Sequence, residues 1–393
     1  MKKLNFRILR SEKEEFKNIF AERDFFDIDK GLLITVVLLA LFGTVMVISA
    51  GSDYAYARYG DGGYFVKRQL VWIAIGLILM CVTTKIKPSF YKAITPTLYL
   101  ITLILLILVL VLGFVGNGAK RWISIGPLTI QPSEIAKITI VMMLGKYFSD
   151  YDTKALEKKN KRVIFTYGTL FPILIMLIPI ILVMLQKHLS CIIILGVLGL
   201  IIIVAAGVNT RYISLSCLLG ATGVSALAIF TDYTKERITV WRNPEAYKLT
   251  GGWQTLQGLM AIGSGGIFGV GLGNSVMKHC YVSEPANDMI FAILCEELGL
   301  VGAVGAMTLF GVLVYKGYKI SLRAEDVYSR LVAFGISTKI AIQVLLNIAV
   351  VTNTIPNTGI SLPFFSYGGS SLIMIFMEMG ILLSISRYAK IIK

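Results

Sequence analysis

Charge is what this chain is short of. Only 16% of its 393 residues are Asp, Glu, Lys or Arg, where a soluble domain carries about 25%, so a water-soluble globule is excluded. Histidine is nearly missing: His188 and His279 stand alone, too isolated for a zinc site. The five cysteines (Cys81, Cys191, Cys217, Cys280 and Cys295) lie mostly inside apolar runs, with neither metal-ligand spacing nor a disulfide framework. Only Cys280 is expected to meet water. The first thirty residues are too mixed in charge for a cleavable signal, so the apolar run at about residues 31–51 is expected to be an uncleaved anchor. No internal repeat of the kind that builds many transporters is present.

What the chain has instead is apolar length. It is 56% hydrophobic with a mean hydropathy of +0.75, and several runs exceed the roughly 18 uncharged apolar residues that mark a membrane span. The expected fold is an all-α polytopic membrane protein of about ten transmembrane helices. Their approximate centres are residues 41, 77, 105, 141, 174, 197, 220, 302, 341 and 377. The net charge of +15 is dispersed over short loops and forms no long basic face, which excludes a nucleic-acid partner. Basic residues crowd residues 1–30, 154–162, 316–330 and 387–393. Placing all of them inside satisfies the positive-inside tendency. Both termini are then cytoplasmic, residues 1–30 are a tail, and residues 31–390 are a single transmembrane domain.

That orientation leaves residues 116–131, 231–287 and 354–367 outside. The second of these, between helices 7 and 8, is long enough to be functional. Trp241, Trp253, Phe268 and Tyr281 give it apolar anchors, so it is expected to pack over the outer mouth of the bundle as short interfacial helices and turns. Its end carries Glu284 and Asp288, four residues apart, where polar sequence gives way to an apolar run. A helix starting near Pro285 would hold Asp288 near its positive end. Two roles are open for Asp288: a capping acid, or a general base at the bilayer surface.

Other residues carry chemistry less directly. Lys120 and Arg121 are cations on the side where topology disfavours them, which points to an anionic partner. Glu134 and Lys137 share one helix face at i and i+3 and are either a local ion pair or substrate contacts. The long loop supplies Arg237 and Lys278, and its stretch from Ala261 through Ser264 to Gly273 is dense in glycine. Such a stretch is a flexible turn or, with the nearby cations, a cradle for a phosphate. Glu296 and Glu297, and Lys339, Gln343 and Asn347 at i, i+4 and i+8, must face protein or a cavity. The last outer loop, residues 356–371 with Ser366 in it, is uncharged and reads as a fixed non-helical path at the rim of the bundle.

Taken together, these motifs resemble the SEDS family of bacterial membrane proteins (the FtsW, RodA and SpoVE group) along almost the whole chain. The resemblance rests on Gln131-Pro-Ser-Glu134 with Lys137, on Gly251-Gly-Trp-Gln254, and on Ala261-Ile-Gly-Ser-Gly-Gly266. It rests equally on Glu284 to Asp288 followed by Glu296-Glu-Leu-Gly299, and on Thr358 to Ser370. Ile125-Gly-Pro127 leans towards the division and sporulation branches. Where the family often has Gln-Pro-Asp-Leu-Gly, this chain has Gln186-Lys-His-Leu-Ser190, so a role for that acid does not carry over. Glu378 is also unexpected.

The resemblance implies a peptidoglycan glycosyltransferase that polymerises lipid II at the outer face of the bacterial cytoplasmic membrane, with a class B penicillin-binding protein, a transpeptidase, as partner. It places the essential acid at Asp288, with Glu284 the second choice. Arg121, Lys137, Arg237 and Lys278 become candidates to hold the departing diphosphate. A divalent cation, Mg2+ or Mn2+, would share that task, although the sequence shows no ligand cage. The rival readings are a lipid II flippase and a non-enzymatic scaffold.

Overall fold

The computed structural model describes residues 27–116, 119–125, 128–151, 166–208, 232–279 and 281–389. The span expected near residue 220, the basic loop at 154–162, most of the N-terminal tail and Cys280 lie outside the described residues. Every other expected span centre falls inside a helix. In chain order these are α1 (Lys30–Tyr59), α2 (Tyr64–Lys85), α3 (Pro88–Leu112), α4 (Pro132–Asp150), α5 (Phe171–Leu185) and α6 (Leu189–Ala205). The outer loop contributes α7 (Asp232–Arg242) and α8 (Trp253–Gly265), and the chain ends with α9 (Ile290–Arg323), α10 (Val327–Val351) and α11 (Gly369–Tyr388). Of the described helices, seven are long and apolar enough to cross a membrane. This is a multi-pass helical membrane protein.

Local signals set the helix ends. Asp29 Oδ1 accepts the Leu32 N–H at 2.8 Å at the start of α1, and Asp326 Oδ1 accepts the Ser329 N–H at 2.9 Å before α10, each satisfying an orphan donor. Gly60 closes α1 in the left-handed conformation. Leu38, Leu41 and Ile48 of α1 stay exposed while Leu32, Val36 and Leu39 are buried, as expected of a helix with one face to lipid and one to protein. Residues 114–130 add a departure from pure helix: Phe114–Gly116 (β1), Ala119–Ile125 (β2) and Leu128–Ile130 (β3) pair antiparallel in the order β1-β2-β3.

Irregular backbone enters the bundle at two places. Helix α9 breaks at Gly299 (φ 64°, ψ −161°). The polar groups freed there bond to the glycine stretch after α8: Leu300 N–H to Gly266 O and Val270 N–H to Glu296 O, both 3.0 Å, and Gly271 N–H to Glu297 O at 3.0 Å. A broken membrane helix survives only when protein satisfies it in this way. A Cβ on Gly299 would stand 2.4 Å from Gly269 N. The glycines are therefore needed for close backbone packing.

The second irregular stretch is the last outer loop, which does not stay at the rim. Ile360, Leu362, Phe364 and Phe365 are buried, and the Phe365 ring packs on Phe42 (5.1 Å) and Phe310 (5.6 Å). A Cβ on Gly43 would come within 2.2 Å of the Phe364 carbonyl oxygen, so α1 and this loop touch backbone to backbone. An uncharged loop with four large apolar side chains loses more by facing water than by entering the bundle. That is why it dives inward.

The buried charges pair off. Lys137 Nζ lies 2.6 Å from Glu134 Oε1, and Lys278 Nζ lies 3.2 Å from Glu297 Oε1. Glu378, unexplained by the sequence, meets Lys339 Nζ at 2.9 Å through both oxygens, tying α10 to α11. Breaking such a pair leaves a lone buried charge and costs about 3–5 kcal/mol, whereas removing both partners is far milder. Lys339→Met and Glu378→Met should each lower the melting temperature of the detergent-solubilised protein strongly, and the double variant should recover most of the loss. Equal losses for single and double variants would deny the pairing.

Candidate functional site

The site forms where the chain turns from the outer loop into α9. Residues 283–289 make a tight turn, with Glu284 at φ 57° and Asn287 N–H bonded to Glu284 O at 3.0 Å. The helix begins at Ile290, not near Pro285, and its N-cap is Met289 with no side-chain cap hydrogen bond. Asp288 is thus not a capping acid. The expected helix start fails because Pro285 and Ala286 are buried in the turn and Ala286 O accepts the Tyr367 N–H at 2.8 Å, which holds that residue out of a helical path.

Two neighbours clamp the turn. Asn347 of α10, fully buried, donates from Nδ2 to Asp288 O at 3.0 Å and to Ile360 O at 2.6 Å. Ser366 donates to Asn287 O at 2.7 Å and accepts the Leu362 N–H at 2.7 Å. The main chain on either side of Asp288 is thereby bound to α10 and to the last outer loop, and only the side chain is left to act. A Cβ on Gly359 would stand 3.5 Å from Asp288 Oδ2, so the carboxylate rests against bare backbone.

The electrostatics are those of a tuned acid. Asp288 is half-buried, which gives a substrate access to it. Desolvation, and then the Glu284 charge, raise its pKa to about 7 against the pull of Arg237. Glu284 in turn accepts from Asn287 Nδ2, and Arg58 at the end of α1 is close enough to feel its charge. The acid pair therefore has a cation at each end. Beside it, between α7, α8 and the last outer loop, lies a cavity of about 210 Å³ lined by Arg237, Trp241, Gln254 and Asn357 among others.

Of the residues singled out from sequence, the structure brings Asp288, Glu284, Arg237 and Ser366 together; Ser366 serves as a tie. The others lie apart. Lys278 is buried on Glu297, Gly273 O (2.5 Å) and Ser49, and Lys137 is held by Glu134. Neither is placed to catch a diphosphate at Asp288. Arg121 donates to Lys187 O, and Lys120 is exposed on β2. Ser264 bonds Ala261 O at 3.0 Å, ten residues from Gln254 along α8 and so roughly 15 Å away along its axis. The glycine stretch spends N–H groups of Gly269, Val270 and Gly271 on backbone carbonyls, so they form no phosphate cradle. Sequence reasoning missed Gln254, Asn357 and Arg58 as site residues. Gln254 had a signal in its Gly-Gly-Trp-Gln motif; Asn347 had one in its stripe with Lys339 and Gln343, which had to face protein or a cavity.

A helical membrane protein with a broken helix and a tuned carboxylate at its mouth is the class this geometry defines. The family model described as cell cycle protein, FTSW_RODA_SPOVE, matches residues 30–391, and the chain belongs to that family. It is 39% identical over 361 residues to the stage V sporulation protein E of Bacillus subtilis, covering 91% of this chain and 97% of that one. It is 36% identical to a probable peptidoglycan glycosyltransferase FtsW of Geobacter sulfurreducens, covering 92% and 96%. Among solved structures, a chain from work on the structural coordination of polymerization and crosslinking by a peptidoglycan synthase complex superposes with a TM-score of 0.75 at 27% identity, over 92% of this chain and 98% of that one. The rod shape determining protein RodA of Thermus thermophilus gives 0.66 at 27%, over 92% and 97%.

The raised acid has a stability signature. An aspartate with a folded-state pKa near 7 and an unfolded one near 3.9 favours the fold while protonated, and that contribution drains away as pH climbs through the interval between the two. Asp288→Asn, which stays neutral, should therefore melt at a progressively higher temperature than the native protein from pH 5 to 7, with the gap levelling off above. A gap that does not change with pH would deny the shift.

Proposed function

We propose that this chain is a peptidoglycan glycosyltransferase that polymerises lipid II at the outer face of the bacterial cytoplasmic membrane, with Asp288 as its general base. The observation that carries the assignment is the half-buried Asp288, held by its backbone, with its carboxylate against the bare backbone of Gly359 and tuned to about 7. A base works best when its pKa lies near the operating pH. In the step, the 4-hydroxyl oxygen of the incoming lipid II attacks the anomeric carbon of the growing strand. A new C1–O4 bond forms with inversion, and the C1–O bond to undecaprenyl pyrophosphate breaks, the leaving oxygen keeping the electron pair. The hydroxyl proton passes to Asp288 and then to water. Glu284 supports the base by keeping its pKa up, and Arg58, at the Glu284 end of the acid pair, meets the developing diphosphate charge.

Among the described residues no three His, Cys, Asp or Glu side chains cluster as metal ligands. The two carboxylates alone do not make a cage, so a Mg2+ or Mn2+ ion would need substrate oxygens to complete its shell, and no step here runs through one. The partner is a class B penicillin-binding protein that cross-links the product, and both termini face the cytoplasm. The sporulation and division names of the relatives above favour septal or spore-wall synthesis. A flippase would need an open polar path, whereas Glu134–Lys137 and Lys339–Glu378 are closed, buried pairs.

Purified protein with its transpeptidase and lipid II in detergent, where no sidedness exists, tests this directly. The native protein should make glycan strands, and Asp288→Asn should lose at least about 100-fold in rate at equal expression and with no loss of melting temperature. Strands made by that variant at the native rate would remove Asp288 from the mechanism.

A further inference from the structure

The cavity beside Asp288 has a composition of its own. Trp241 supplies an aromatic wall, and its Nε1 donates to Asn353 O at 2.9 Å, which spends the polar edge of the indole and fixes the ring. Gln254 and Asn357 supply amides joined at 3.1 Å from Asn357 Nδ2 to Gln254 Oε1, and Thr255 a hydroxyl. The charges balance, with Glu236 on the same wall as Arg237. One acid and one base make a poor diphosphate site, because a dianion needs a surplus of cations. A flat apolar surface with convergent amides instead suits a neutral, amphipathic ring whose C–H face packs on the indole and whose hydroxyls and acetamido group meet the amides. A cavity of about 210 Å³ is roomy enough for a pyranose ring.

The position of the cavity says which sugar. Asn357 lines it, and two residues further on the backbone at Gly359 lies against Asp288 Oδ2, so a ring seated there lies beside the base. The donor sugar offers an anomeric carbon and a diphosphate; only the acceptor brings the hydroxyl that must lose its proton. We propose that this cavity is the acceptor subsite and binds the terminal N-acetylglucosamine ring of the incoming lipid II, with Trp241 against the ring face and Gln254 and Asn357 on its polar groups. The diphosphate then falls to the other end of the acid pair, where Arg58 stands exposed. This assignment rests on the glycosyltransferase reading and adds the residues that select its acceptor.

Two measurements test it on the full chain in detergent. In steady-state polymerisation with the transpeptidase present, Trp241→Ala should raise KM for lipid II about tenfold with little change in kcat, the scale of one lost aromatic contact. Trp241→Phe, which keeps the flat face but not the bond to Asn353, should stay within a few-fold of native. Separately, saturation-transfer NMR with the soluble N-acetylglucosaminyl-N-acetylmuramyl disaccharide, free of lipid and phosphate, should show transfer centred on the N-acetylglucosamine protons. That transfer should be lost in Trp241→Ala and undisturbed by added inorganic pyrophosphate. An unchanged KM in Trp241→Ala, or transfer equal in native and variant, overturns the subsite while native polymerisation leaves the glycosyltransferase reading standing. Should the native protein make no polymer, that reading falls, and the NMR arm still decides whether the cavity takes a sugar.

Discussion

Inside a bilayer a backbone N–H or C=O that leaves a helix has no water to turn to, and it must find a partner in the protein. Two non-helical stretches meet that demand here, one at each end of the same half-helix. The glycine segment after α8 bonds to the carbonyls and N–H groups freed at the Gly299 break. The last outer loop sinks its phenylalanines into the bundle and is caught, along with the Asp288 turn, by the single amide of Asn347. The short half-helix Ile290–Leu298 is braced on both sides as a result. The aspartate just ahead of it owes its position to hydrogen bonds made by its neighbours and its main chain, leaving its carboxylate uncommitted to structure.

The same economy governs charge. Deep in the bundle, Glu134, Lys137, Lys339 and Glu378 are matched within the protein, as are Lys278 and Glu297 at the break. Those groups fix the helices to one another and have little left for a substrate. At the outer mouth the arrangement is different. Asp288 and Glu284 sit near enough to repel and burial adds to the effect, while Arg237 and Arg58 lie within electrostatic reach of the acid pair. A strained electrostatic arrangement at an open cavity, beside rigid and neutralised packing, is the usual division of labour between a reactive centre and its scaffold.

Much of this was legible in the amino-acid order, and the rest failed for identifiable reasons. Apolar run length located the helices because a span must match the hydrocarbon thickness, and Asp288 stood out because it sits where a polar loop gives way to an apolar run, at the position the family resemblance marks. Lys278 misled because its partner Glu297 belongs to the broken helix, and nothing local says that the break folds the loop back upon it. The glycine run left a flexible turn and a phosphate cradle both open, because the N–H groups of Val270 and Gly271 look free until the Glu296 and Glu297 carbonyls that take them are in view. Glu378 was unaccountable until Lys339 appeared opposite. The last outer loop was expected at the rim because its prolines and glycines are turn chemistry, when its four large apolar side chains were the stronger signal. Local pattern reports what a residue prefers; which of two preferences wins depends on contacts the fold alone supplies.

The central claim is that one carboxylate, raised to about 7 by burial and a like-charged neighbour, takes the sugar proton. The pH dependence of kcat/KM for polymerisation, which reports the groups of the substrate-free protein, measures this most directly. The account predicts a value that climbs about tenfold per pH unit on the acid side, bends near 7 and levels above it, with the bend moved to lower pH in Glu284→Gln. A value indifferent to pH from 5 to 8 would contradict it.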